Sequence, residues 1–278
     1  MDTLHLTVPG GTLAVTVQGD GPLVVLSPGM GDLAAVFRDV VPAVVAAGYR
    51  AATVDLRGHG ASATTFAEHG LRATAADLLA VVRGLGQGPA VLVGHSVSAG
   101  AAVLAAVEAP DLVRGLALLS LHLPGDPPGR VAHLMTRVQV AALAGPWAPS
   151  AWAAVYRSLH RGRTAPWADG HVTDVRDALR DAGRRRALHR LARSLVTEEV
   201  GIPLERVTVP AVVVHGALDP EFPDPAAELR RALDRLGGTR AAGLLVPEAG
   251  HYPHSQRADV VGPAVVDLLA VVAEGAGA

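Results

Sequence analysis

The chain has 278 residues, half of them hydrophobic and 18% charged, with a formal net charge of −2 and no cysteine. Such a chain can bury a sizeable core and is not disordered, and its near-neutral charge offers no bulk electrostatic basis for binding nucleic acid or an anionic membrane. Without cysteine it has no disulfide, no thiolate nucleophile and no cysteine-ligated metal. The first residues, MDTLHLTVPG, lack a basic stretch followed by an apolar run. The longest apolar runs, such as AVLAAV at 102–107, are too short to span a bilayer. The expectation is a cytoplasmic protein with no nucleic-acid or membrane partner.

The chain opens with two alternating runs, Leu4, Leu6, Val8 and Leu13, Val15, Val17, joined at Gly10-Gly11. That pattern predicts a hairpin. Short continuous apolar runs follow at 23–26, 51–54, 90–93, 116–119 and 211–214, as expected of strands buried on both faces of a parallel sheet. Helical stretches lie between them at 33–47, 74–85, 98–109, 226–236 and 258–272. Alternating strands and helices predict an open, mostly parallel, doubly wound α/β sheet of about eight strands. One interval breaks the alternation. Residues 122–206 hold no convincing strand, and helical pieces occur around 130–143, 150–159, 173–181 and 184–197. Such an interval is too long for an ordinary connection. It predicts an all-helical cap, 122–206, inserted into a core formed by 1–121 and 207–278.

The string VGHSVSAG at 93–100 nearly matches G-x-S-x-G, the turn that presents a nucleophilic serine between a strand and a helix. Gly94 supplies one small residue and Ser98 stands where a second glycine is usual. Ser96 would be the nucleophile, with a helix-capping serine as the plain alternative. A serine needs a base and an orienting acid, expected downstream in the order acid, then histidine. Asp219 in VVVHGALDP and His251 in VPEAGHYPH follow apolar runs in that order. Asp126 and Glu221 are weaker rivals for the acid. The oxyanion of such chemistry needs backbone donors. The amides of Val97, after the serine, and of Met30, in the loop SPGMGD, are the candidates.

These motifs, with DLRGHGAS at 55–62, resemble the α/β-hydrolase fold superfamily over nearly the whole chain. The resemblance implies a cofactor-independent serine hydrolase that cleaves a carboxylic ester, lactone or thioester of a small, largely apolar molecule. Where that family usually has His-Gly in its oxyanion loop, this chain has Pro28. A narrower similarity links GHSVSA and HYPHSQRADVV to strigolactone and karrikin receptor-hydrolases, which implies slow turnover and ligand sensing as an alternative. A biosynthetic cyclase, lyase or C–C hydrolase on the same fold is another. The aspartate nucleophile of dehalogenases and epoxide hydrolases is argued against by Ser96.

Other features have more ordinary readings. His251 and His254 form H-x-x-H, but with no third ligand and no adjacent helix they predict no metal site. Asp55, Arg57, His59 and His95 are expected to hold loops. Trp147, Trp152, Tyr156 and Trp167 all fall in the predicted cap, where they either seal it to the sheet or line an apolar substrate pocket. The arginine-rich run 183–194 reads as a solvated helix face, or as a contact for a substrate carboxylate. No cofactor is expected, and monomer and homodimer are both open.

Overall fold

The computed structural model describes residues 2–86, 88–123, 140–197, 200–237 and 240–275. Eight strands form one sheet in the order β1-β2-β4-β3-β5-β6-β7-β8. They are β1 (Asp2–Val8), β2 (Gly11–Gln18), β3 (Leu23–Ser27), β4 (Arg50–Val54), β5 (Ala90–His95), β6 (Val113–Leu119), β7 (Ala211–Gly216) and β8 (Ala241–Val246). β1 and β2 pair antiparallel, as do β2 and β4, and every later pairing is parallel. The opening hairpin turns one residue earlier than expected. Val8 pairs with Gly11, so Pro9 and Gly10 make the turn, and Gly10 takes the positive φ of 90° that favours glycine.

The continuous apolar runs are buried on both faces of the sheet. In β3, Leu23 and Val25 pack into one core cluster and Val24 and Leu26 into another, and β5, β6 and β7 alternate the same way. This is the period-2 geometry of a strand with no solvent face. Helices α2 (Leu71–Leu85), α3 (Val97–Glu108) and α7 (Pro225–Leu236) cover the first face, and α1 (Val41–Ala46) and α9 (Ala258–Gly275) the second. A four-residue helix, α8 (Pro253–Gln256), precedes α9. The helix expected over 33–47 is divided: a 3-10 turn at Ala34–Phe37 is followed by α1, with Pro42 in its first turn. Proline supplies no N–H for an uninterrupted helix through that point.

Between β6 and β7 lie α4 (Ala148–Leu159), α5 (Ala168–Ala178) and α6 (Ala182–Thr197), with no strand among the described residues. Most of the expected helical piece at 130–143, and Asp126, lie outside the described residues. Register aligns the carboxyl ends of the parallel strands along one edge: Ser27 with Gly94, His95 with Leu119, Leu119 with Val214, and Gly216 with Val246. The loops after β3, β5, β7 and β8 leave from that edge, where ligands bind in open α/β sheets.

Candidate active site

Ser96 sits at the abrupt passage from β5 to α3, with φ 53° and ψ −116°. A non-glycine residue at positive φ is strained and persists only where its surroundings enforce it. Its backbone N–H donates to the Leu119 carbonyl at 2.8 Å, which fixes the turn to β6. Gly94 cannot carry a side chain, because a Cβ there would lie 2.3 Å from the Ser98 carbonyl oxygen. Ser98 does more than stay small. Its hydroxyl donates to the Pro28 carbonyl at 2.6 Å and lies 2.8 Å from the Ser27 hydroxyl, all of it buried. The residue that breaks the five-letter motif therefore ties the elbow to the loop after β3.

That loop turns through Gly29, Met30, Gly31 and Asp32, with Gly31 at φ +70° and the Asp32 amide reaching back to the Gly29 carbonyl at 3.4 Å. A Cβ on Gly29 would meet His95 Nδ1 at 2.8 Å and Ser96 Cβ at 3.2 Å, so the loop lies directly against the elbow. Val97 opens α3, and its N–H is among the first-turn donors for which a helix provides no internal acceptor. Both amides expected as oxyanion donors thus belong to backbone segments that touch at Ser96.

Asp219 and His251 come together at the same edge. Asp219 follows β7, His251 follows β8, and His251 Nδ1 is 2.8 Å from Asp219 Oδ2 with both side chains buried. His95 Nε2 donates to the His251 backbone carbonyl at 2.8 Å. The residue immediately before Ser96 therefore grips the backbone of the residue expected to serve Ser96 as base. Glu221 is not a substitute for Asp219. Its backbone N–H donates to Asp219 Oδ1 at 3.0 Å, while its carboxylate lies 3.3 Å from the opposite nitrogen, His251 Nε2. Burial alone would push the His251 pKa down. The charge of Glu221, the hydrogen bond and charge of Asp219, and the charge of Asp32 outweigh that and leave it raised. His95 goes the other way. Burial, then the nearby His254 and His251, hold it well below the usual histidine value.

Residues 24–263 match the family described as the Alpha/beta hydrolase family. The chain belongs to that family. Among curated relatives, this α/β hydrolase is 38% identical over 107 residues to 2-(acetamidomethylene)succinate hydrolase of Mesorhizobium japonicum, covering 38% of this chain and 37% of the relative. It is 38% identical over 118 residues to an epoxide hydrolase of Caballeronia sordidicola (41% and 35%). It is 36% identical over 112 residues to a protein of Oryza sativa subsp. japonica named a probable esterase (39% and 41%). Each match thus spans well under half of the relative's length. Among solved structures, a thermophilic esterase from Thermogutta terrifontis superposes with a TM-score of 0.80 at 21% identity, covering 98% of this chain and 99% of that one. An epoxide hydrolase from an endophytic Streptomyces gives 0.74 at 26% identity, covering 98% and 96%.

The helical insertion of this family member is fastened to the candidate site at several points. Trp152 Nε1–H donates to the Gly31 carbonyl at 2.9 Å, and its ring occupies the space a Cβ on Gly31 would need. The Tyr156 hydroxyl donates to Asp32 Oδ2 at 3.2 Å. His171 Nε2 meets Asp32 Oδ1 at 2.6 Å, and Arg38 donates to His171 Nδ1 at 3.1 Å. Trp167 donates to Asp39 at 2.7 Å and lies under the Arg38 guanidinium. These three aromatics seal the insertion to the core. Trp147 does not join them, because it is 60% exposed and donates to the Ala142 carbonyl. The expectation that it lines a pocket gives way to a surface position. The insertion also holds the loop of the candidate base. The His251 amide donates to the Leu159 carbonyl at 2.9 Å, and Gln256 donates to the carbonyls of Arg161 and Arg163.

The arginine-rich α6 is only partly a solvated face: Arg184 donates to the Gly60 carbonyl and Arg190 to the Phe66 carbonyl, both on the loop after β4. From that loop Arg57 reaches Asp77 of α2 in a bidentate pair at 2.7 Å, and Asp55 accepts from the amides of Ala34, after β3, and Ala61. The His59 ring approaches the Arg57 carbonyl at 3.0 Å. His254 is fully buried, stacks on Phe37 and, among the described residues, has no hydrogen-bond partner for either nitrogen. Among the described residues no group of three metal-ligating side chains could hold an ion, and no helix is long and apolar enough to cross a membrane.

Sequence reasoning missed three roles here: Glu221 at Nε2, Ser98 as a donor, and the Asp32–His171 pair. Only Glu221 left a signal, as a carboxylate two residues from the expected acid.

Proposed function

We propose that this chain is a cofactor-independent serine hydrolase cleaving a carboxylic ester, lactone or thioester through an acyl-enzyme on Ser96. In this reading His251 takes the Ser96 proton as Oγ attacks the carbonyl carbon. Asp219 holds the imidazole tautomer from Nδ1, and the amides of Met30 and Val97 receive the developing oxyanion. His251 then returns the proton to the leaving group, and a water it activates releases the acid. The observation that carries the reading is the buried Asp219–His251 pair, held to the strained Ser96 turn through His95.

The acyl group is small and largely apolar. Met30 packs between two apolar clusters, Leu56, Val97 and Leu191 on one side and Leu143, Trp152 and Leu188 on the other. Those side chains surround the residue that carries one proposed oxyanion amide, and Val97 adjoins the candidate nucleophile, so they give a polar acyl chain little to bond. Helices α4, α5 and α6 act as the cap over this space, and Trp152, Tyr156 and Trp167 fix them there. The test is Ser96→Ala assayed with short and medium aryl esters, alongside a fluorophosphonate probe. Turnover should fall by about 10⁶-fold and labelling should vanish. Undiminished turnover, or labelling at another residue, sinks the reading.

A second reading, ligand sensing with slow turnover, is favoured by two observations. One is the similarity to a plant protein, the rice probable esterase, and the other is the direct tie between the insertion and the His251 amide. It requires a large ligand-induced thermal shift together with slow single turnover. Fast multiple turnover without a shift removes it.

A further inference from the structure

One three-residue turn, Asp219-Pro220-Glu221, places a carboxylate on each nitrogen of the same buried imidazole. Asp219 Oδ2 is 2.8 Å from Nδ1 and Glu221 Oε2 is 3.3 Å from Nε2. The turn is locked by the Glu221 amide bonding to Asp219 Oδ1, so the two carboxylates are delivered together. Ionised carboxylates only accept hydrogen bonds. A hydrogen-bonded carboxylate at Nδ1 and a second negative charge beside Nε2 both favour the imidazolium, which cannot act as a base. Glu221 is the member that solvent and substrate can reach, since its side chain is 40% exposed while that of Asp219 is fully buried.

Nε2 is also the atom that accepts the Ser96 proton and later hands it to the leaving group in the function proposed above, on which this inference rests. A carboxylate 3.3 Å from Nε2 stands where a leaving-group oxygen must come. We propose that Glu221 is the specificity-determining residue of this site: it occupies the leaving-group side of His251 and selects esters whose leaving group is cationic or neutral over those whose leaving group is anionic. A cationic leaving group draws the carboxylate off Nε2 and frees the base. An anionic one meets a like charge in a poorly solvated place and leaves the imidazolium paired. The same contact sets the acid limit of turnover.

The other groups facing His251 do not supply this effect. From the loop after β3, Asp32 is already bound to His171 and Tyr156. From β5, the insertion and the His251 loop come His95, His160, Tyr252 and His254, and the three histidines are all held below their usual value by burial first. His215 in β7 is likewise pushed down to about 4, again by burial first. Asp219 serves Nδ1, which leaves Glu221 as the carboxylate at Nε2.

The experiment compares wild type with Glu221→Gln and Glu221→Ala. The substrates are three acetate esters with one acyl group: phenyl acetate, 4-(trimethylammonio)phenyl acetate and 4-acetoxybenzoate. In wild type the kcat/KM ratio of cationic to anionic ester is high, and it falls by about tenfold in both variants, a change of roughly one decade for one removed charge. The acid limb of kcat/KM for phenyl acetate moves to lower pH, because losing the negative charge lets His251 shed its proton earlier. The His251 ring proton followed by NMR moves with it. Because the folded His251 value lies above the unfolded one, the pair stabilises the fold below about pH 6.5, and this is lost as pH rises through the raised value. The Tm advantage of wild type over Glu221→Gln is therefore larger at pH 6 than at pH 9.

An unchanged ester ratio with an unchanged acid limb, in variants that melt as cooperatively as wild type, overturns the proposal. A neutral fluorophosphonate at pH 9 separates the two readings. Labelling of Ser96 with an unchanged ratio defeats only the role of Glu221, whereas no labelling of wild type defeats the hydrolase mechanism and this role with it.

Discussion

Among the described residues there are two buried Asp–His pairs of nearly the same length, and they differ in what meets the histidine's other nitrogen. In Asp32–His171, at 2.6 Å, the far nitrogen accepts from Arg38. A guanidinium can only donate, so Nδ1 accepts, Nε2–H donates, and both nitrogens are spent. In Asp219–His251, at 2.8 Å, the far nitrogen faces a half-exposed carboxylate on a ring held beside the Ser96 turn. The first pair is a rivet between α5 and the loop after β3. The second can exchange a proton. An Asp–His pair alone therefore does not mark a site, and the partner of the second nitrogen decides.

The comparison can be broken most directly by removing the acids' functions separately. Asp219→Asn should cut turnover by about 10⁴-fold through the wrong tautomer, with the melting temperature little changed. Comparable loss of stability without loss of turnover would merge the two pairs into one class. His171→Ala should do the reverse. It removes one hydrogen bond from a fully buried carboxylate that keeps the Tyr156 hydroxyl and the Leu33 amide, at a cost of about 2–3 kcal/mol, lowering Tm by roughly 4–10 °C. The protein that remains folded at 20 °C should still be labelled by a fluorophosphonate, and complete loss of labelling would make His171 part of the chemistry. Ser98→Ala sharpens the contrast at smaller scale. Without its hydroxyl the Pro28 carbonyl loses a donor, which should cost about 1–2 kcal/mol and about tenfold in kcat with KM nearly unchanged. An equal change in KM and none in kcat would reduce Ser98 to a space-filler. Trp147→Ala closes the series, with a stability change within about 0.5 kcal/mol and unaltered kinetics. A large effect on KM would return Trp147 to the pocket.

How much of this was legible in the sequence depended on whether local pattern or tertiary approach sets the feature. The runs that became β3, β5, β6 and β7 were legible because strands buried on both faces are uniformly apolar and end at turn residues. Ser96, Asp219 and His251 were legible as residues because each follows such a run, and sheet topology brings strand ends together. The helix at 33–47 misled because its apolar spacing continues across Asp39 and Pro42, where the backbone breaks. Trp147 and Trp152 are the same residue type five positions apart, and only packing against Gly31 separates the exposed one from the buried one. Ser98 could be judged for size from sequence, but its bond to Pro28 joins residues 70 apart in the chain. Glu221 was visible as a carboxylate, yet spacing could not say that its turn would aim it at the nitrogen opposite Asp219.

The bond from Trp152 to the Gly31 carbonyl makes one polypeptide turn serve two masters. Gly31 follows Met30, whose amide receives the oxyanion in the proposed mechanism. Any displacement of α4 from the sheet would release that restraint, so the seating of the helix and the placement of the amide are one variable and not two.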